Sequence, residues 1–172
     1  MATKAKRPAV PKKRASKAQA PRPAEVTPLL DLSSPKERAV LDVLALAMSV
    51  DDVVTAAEMN LAIAQLQVLL KLPRNDKVLA RELADLINAS VLTIQAKGRE
   101  AVLDRALLHI SSGEERRLLF ALAVSVTCAE GGVADAEAKF LAQLRLGLGL
   151  TEAEALQGVA GVASVMARRP VG

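Results

Sequence analysis

The sequence predicts an all-α fold, a compact helical bundle of about seven helices built from a duplicated helix-turn-helix unit. Three observations carry that reading. Residues 34–72 recur at residues 112–150, with Leu41, Leu44, Ala45 and Met48 matched by Leu119, Leu122, Ala123 and Val126 at an offset of 78. Both sets fall at i, i+3, i+4 and i+7, the spacing of a buried helical stripe. The chain is 51% hydrophobic yet has two Phe and no Trp or Tyr, so its core is aliphatic, and no alternating run bounded by a hairpin turn offers a strand.

The elements follow in order. Ser34-Pro35-Lys36-Glu37 opens the first copy and Ser112-Gly113-Glu114-Glu115 the second, each a Ser-x-x-Glu capping box ahead of an apolar run. The first helix is expected over Ser34 to Val50, with Pro35 in its first turn, where a missing N–H costs nothing. Thr55-Ala56-Ala57-Glu58 is a further box, starting a helix that lasts to Lys71 and is closed by Pro73. Asn75 or Asp76 caps a longer helix to about Ala96, with Leu79, Leu83, Leu86, Ile87 and Ile94 inward, and Gly98 ends it. Residues 99–110 read as a short helix burying Val102, Leu103, Ala106 and Leu107, so helices in 75–110 link the two repeats. Thr151-Glu152-Ala153-Glu154 starts a last helix to about Arg168, in which Gly158 and Gly161 either weaken the helix or permit close packing.

Residues 1–30 are a different material. Lys4, Lys6, Arg7, Lys12, Lys13, Arg14, Lys17 and Arg22 place eight positive charges in the first 24 residues, with four Pro and no acid. That composition predicts a disordered basic arm ahead of a helical domain at 31–172, with Leu29, Leu30 and Leu32 docking on the body where the arm ends. The remaining residues hold 15 of the 23 Lys and Arg and all 19 Asp and Glu, so the body is mildly acidic and the high pI belongs to the arm. Unopposed basic charge suits the phosphate backbone of nucleic acid, or an anionic membrane surface, or serves as a solubilising tail. The arm has no bulky apolar group to enter lipid, which favours nucleic acid, and the body has no aromatic stacking platform, so binding would be sequence-tolerant.

Each repeat carries an acidic turn between its helices. If the pseudo-two-fold of the repeat brings these turns together, Asp51, Asp52, Glu58, Glu130, Asp135 and Glu137 converge on one hard cation, calcium or magnesium. Capping accounts for the same residues without a metal, because Glu58 completes a box and Glu137 and Asp135 sit in a first helical turn where negative charge favours the helix dipole. Neither turn has the Asp-x-Asp-x-Asp-Gly alternation of an EF-hand.

The stretch from Leu118 to Leu150, with its core A-L-A-V-S-V-T-C-A-E-G-G-V-A-D-A-E and its ending L-G-L-G-L, resembles the TerB-like family, the tellurite-resistance B proteins and their relatives. Glu130, Gly131, Val133, Glu137, Leu148, Gly149 and Leu150 occupy the positions of that pattern, and Asp51, Asp52, Val54 and Glu58 form a looser first copy, with Asp52 where the pattern has Gly. The resemblance covers roughly residues 34–160. It implies a two-repeat helical domain, divalent-metal binding at the acidic turns, a stress-response setting, and association with protein partners at the membrane or nucleoid.

No catalytic arrangement is legible. His109 is the only histidine and stands near a helix end without a nucleophile at a recognisable spacing, and there is no phosphate loop, no His-Glu-x-x-His and no CxxC pair. Cys128, the single cysteine, reads as a small buried hydrophobe. No run reaches the roughly 18 apolar residues of a membrane span, and no secretory signal is visible, so a cytoplasmic location is expected, at the nucleoid or inner membrane if the arm or a partner holds it there. The function expected is that of a non-enzymatic binding or adaptor protein, and the alternative is a nucleic-acid-associated protein whose arm supplies the affinity.

Overall fold

A computed structural model describes residues 34–167, with the side chains of 165–167 left aside. The basic arm and Leu29, Leu30 and Leu32 lie outside the described residues, as does the expected helix end at Arg168. Within them the chain is all helical: α1 (Pro35–Met48), α2 (Ala56–Leu69), α3 (Lys77–Lys97), α4 (Arg99–Leu107), α5 (Gly113–Thr127), α6 (Asp135–Gly147) and α7 (Glu152–Ala167).

The caps explain most of these boundaries. Thr55 and Glu58 form a reciprocal box at the head of α2, and Ser112 and Glu115 do the same for α5. Thr151 and Glu154 bond reciprocally at the start of α7, and the Asp76 carboxylate accepts from the backbone N–H of Val78 and Leu79. Gly98 adopts φ +87°, a left-handed conformation that lets α3 stop and α4 start within one residue. The box expected at Ser34 does not form, since the Ser34 side chain makes no cap hydrogen bond. The start of α1 is held instead by the Arg38 N–H donating to the Ser34 carbonyl and by an ion pair between Lys36 and Glu115 on α5.

The duplication is a structural one. α1 and α5 pack on each other at the centre, α2 and α6 follow them, and α3 and α7 return to pack along α1 and α5 respectively. α4 is the unpaired element; it lies on α1, α3 and α6. Its presence changes the exposure of α1 beyond the single stripe expected, because every residue from Ala39 to Met48 is buried. A helix apolar on nearly all sides belongs inside. α5 buries Leu119 to Ala123, Val126 and Thr127, and with α1 it contributes to one aliphatic core that also takes Leu66, Leu83, Ile87, Val102 and Leu144. Of the inner face expected for α3, Leu86 is only partly buried and Ser90 takes a core position.

The second helix of each repeat ends in the same way. Leu72 N–H donates to the Gln67 carbonyl and Leu150 N–H to the Arg145 carbonyl, the six-to-one bond of a Schellman turn. The residue before each bond is left-handed: Lys71 at φ +56° and Gly149 at φ +64°, again 78 residues apart. Glycine adopts this conformation freely and lysine does not. Lys71→Gly is therefore expected to stabilise the protein by about 1 kcal/mol, measured by denaturant melting, whereas Gly149→Lys should cost a similar amount. A loss of stability in Lys71→Gly would contradict the equivalence of the two turns.

Candidate functional site

The two acidic turns meet. Asp51, Thr55 and Glu58 from the first repeat and Glu130, Gly132, Val133, Ala134 and Glu137 from the second line one open cleft of about 350 Å³, with Thr127 at its floor. The turns face each other because α1 and α5 run through the core side by side and end there together. Each turn also contains a left-handed residue at the matching position, Asp52 at φ +65° and Gly131 at φ +88°. Sequence reasoning placed a glycine there in one copy only, and the aspartate adopts the same backbone.

Four of the six expected carboxylates line the cleft, and two do not. Asp52 is turned away to meet Arg99, whose Nη2 lies 2.8 Å from its Oδ1 and also donates to the Ser49 carbonyl. Asp135 is exposed as the first residue of α6 and does not line the cleft. The carboxylates that do converge are largely committed to the backbone. Glu58 Oε2 accepts from Thr55 N–H at 2.9 Å and from Thr55 Oγ1 at 3.0 Å. Glu137 Oε2 accepts from Ala134 N–H at 2.6 Å, and Asp51 Oδ1 from Val53 N–H at 3.1 Å. Glu130 alone of the four has no bond to the protein among the described residues.

These commitments decide the fit to a cation. A calcium ion takes six to eight oxygens, several of them carboxylate. Among the described residues no group of three or more His, Cys, Asp or Glu side chains is placed to hold a metal ion. The residues as arranged do not fit a chelated divalent cation: Asp52 and Asp135 stand outside the cleft, and Glu58 and Glu137 serve as caps.

What the cleft does have is a one-sided field. Glu58 is 5% exposed, and its pKa is raised above the ordinary carboxylate value, chiefly by burial. The bonds from Thr55 pull it down, and the charges of Asp51 and of Glu137, from the other repeat, push it up. A carboxylic acid with a raised folded pKa favours folding at low pH, and that contribution is lost as pH rises through the folded value. Glu58 therefore lowers stability near neutrality relative to an unshifted residue, a cost chiefly of burying its carboxyl, to which the neighbouring like charges add.

One other expectation is corrected by the fold, and two further residues are placed by it. Cys128 is exposed rather than buried, because α5 ends at Thr127 and Cys128 caps it outside the core. His109 is exposed past the end of α4, remote from the cleft lining. Asp42, in the middle of the apolar run of α1, escaped the sequence reading altogether. It is 1% exposed, its Oδ2 lies 2.7 Å from Arg105 Nη2, and its Oδ1 accepts from Ser90 Oγ at 2.8 Å and lies 3.5 Å from Arg38 Nε. The signal was an acid inside Val-Leu-Asp-Val-Leu, which requires partners wherever it is buried.

No helix among the described residues is long and apolar enough to cross a membrane. Comparison of the chain with family models, curated proteins and solved structures gives no match.

Proposed function

We propose that the protein is a non-enzymatic binding or adaptor protein of the TerB-like stress-response class, whose body receives cationic groups of a protein partner at the paired acidic turns. The observation that supports this reading best is the convergence of Asp51, Glu58, Glu130 and Glu137, from both repeats, on one open cleft. Carboxylates fixed by caps keep their place, and the two rim acids Asp51 and Glu130 add negative charge beside them, which suits attraction of a partner's Lys or Arg. The cleft is assigned to such side chains and not to a resident cation, because its carboxylates do not form a ligand set.

The test is a calorimetric titration of the full chain with a lysine-rich peptide. Asp51→Asn combined with Glu130→Gln is expected to weaken binding about fivefold or more, with strong salt dependence, since both are rim charges. Millimolar Ca²⁺ should leave the melting temperature unchanged. Peptide binding indifferent to the double substitution, or a rise of several degrees with Ca²⁺, would overturn this assignment.

A second reading rests on the eight unopposed positive charges of residues 1–24. In it the protein associates with nucleic acid through the phosphate backbone, or with an anionic membrane surface, and the body presents the arm.

A further inference from the structure

The internal symmetry leaves one seat unfilled. α4 packs on α1, α3 and α6, whose counterparts in the other half are α5, α7 and α2. Where those three helices meet, no helix lies among the described residues. There is instead a groove of about 480 Å³, walled by Val68 and Leu69 of α2, Leu118 and Leu122 of α5, and Gly161 and Val162 of α7.

The register of the two places agrees. Leu107 of α4 lies directly on Gly147 of α6, where an added Cβ would come within 2.6 Å of its Cδ1. Leu69, 78 residues before Gly147, is in the groove wall. Gln143 of α6 borders the cavity beside Arg99 and Leu103 of α4, and its counterpart Gln65 borders the groove. Two positions of α6 beside α4 thus have their counterparts on α2 in the groove wall, and no helix fills the groove among the described residues.

Two features show what chemistry it lacks. Gln65 is 1% exposed; its amide nitrogen donates to Ser125 Oγ, but its Oε1 is buried without any hydrogen-bond donor. A buried acceptor left unpaired costs free energy, so the groove floor at Gln65 is not a fully satisfied core. At the rim stand Arg74, Arg117 and the carboxylate of Glu114; Arg117 also attracts Glu154 of α7, while Arg74 makes no ion pair among the described residues. Gly161 adds room, since a Cβ there would meet nothing within 4 Å.

We infer that this groove, separate from the acidic cleft, binds a short amphipathic helix of a partner protein, seated as α4 is seated on the first half. The helix presents aliphatic side chains at i, i+3, i+4 and i+7 to the wall, and Asp or Glu to Arg74 and Arg117. α4 itself, nine residues with Val102, Leu103 and Ala106 buried, shows the length and the pattern required.

The experiment uses the full chain and a labelled, stapled helical peptide with leucines at that spacing and glutamates at both flanks. Saturable binding is expected, with methyl NMR shifts at Leu69, Leu118, Leu122 and Val162. Gly161→Trp, which fills open space, should weaken binding about tenfold or more while the protein still melts cooperatively. Arg74→Glu with Arg117→Glu, two surface changes, should weaken the glutamate peptide and favour a lysine-flanked twin. The proposal fails if binding is absent, if shifts fall elsewhere, or if neither variant alters affinity. It also fails if NOEs place Leu29, Leu30 or Leu32 of the same chain in the groove, if Gly161→Trp abolishes self-association of the free protein, or if the groove responds to anionic vesicles and not to the peptide.

Discussion

Asp42→Ala is expected to destabilise the protein by about 3 kcal/mol, a fall in melting temperature on the order of 10 °C. The Asp42 carboxylate sits inside α1 and joins three elements: Arg38 on its own helix, Ser90 on α3 and Arg105 on α4. Removing it strands the Ser90 hydroxyl, which is fully buried, and opens a void beside it. The two arginines are roughly 40% exposed and regain water, so the ion pairs themselves supply the smaller part of the loss. Asp42→Asn keeps an acceptor for Ser90 and should cost about half as much. Urea melts of both variants check this, and equal losses would mean that charge, not the buried hydroxyl, dominates.

Replacing all eight Lys and Arg of residues 1–24 with Gln is expected to weaken binding to a labelled DNA duplex by about 10²-fold or more at low salt. The argument is one of counterions. Each phosphate neutralised adds about −0.9 to the slope of log K against log salt, so the unmodified chain should show a slope of roughly −4 to −7. The substitutions leave the body untouched, with a net charge of −4 over residues 25–172 that repels nucleic acid. Fluorescence anisotropy at two salt concentrations gives both quantities. Duplex binding that survives the substitutions would place the nucleic-acid surface on the body, and binding to anionic vesicles alone would assign the arm to the membrane.

The features legible in the sequence are those decided within one helical turn. Thr55 with Glu58, Ser112 with Glu115, Thr151 with Glu154, Asp76 and Gly98 each act on neighbours three or four residues away, and the helices start or stop where these residues stand. The repeat offered convergence of the acidic turns as a condition on its pseudo-two-fold, and the two turns do line one cleft. Legibility stopped where a side chain chose a distant partner. Asp52 looked equivalent to its neighbour Asp51 until Arg99, 47 residues on in the sequence, drew it out of the cleft. Asp135 looked like part of the cluster, but the first position of α6 points it to solvent. The burial of α1 on every side depends on α4, which has no counterpart in the second half, and the same asymmetry leaves the groove on α2, α5 and α7. A capping box at Ser34 was read from pattern alone, whereas the start of α1 is anchored by the ion pair to α5.

The central claim is that the acidic turns of the two repeats form one electrostatic site. The most direct measurement is an NMR titration of the Glu58 side-chain carboxyl in the full chain, in Glu137→Gln and in Asp51→Asn. The account predicts that Glu58 titrates above the ordinary glutamate value and that each substitution lowers its midpoint, because burial and these two charges raise it. A Glu58 that titrates at or below the ordinary value, with no response to Glu137→Gln, would mean that the turns do not share a site.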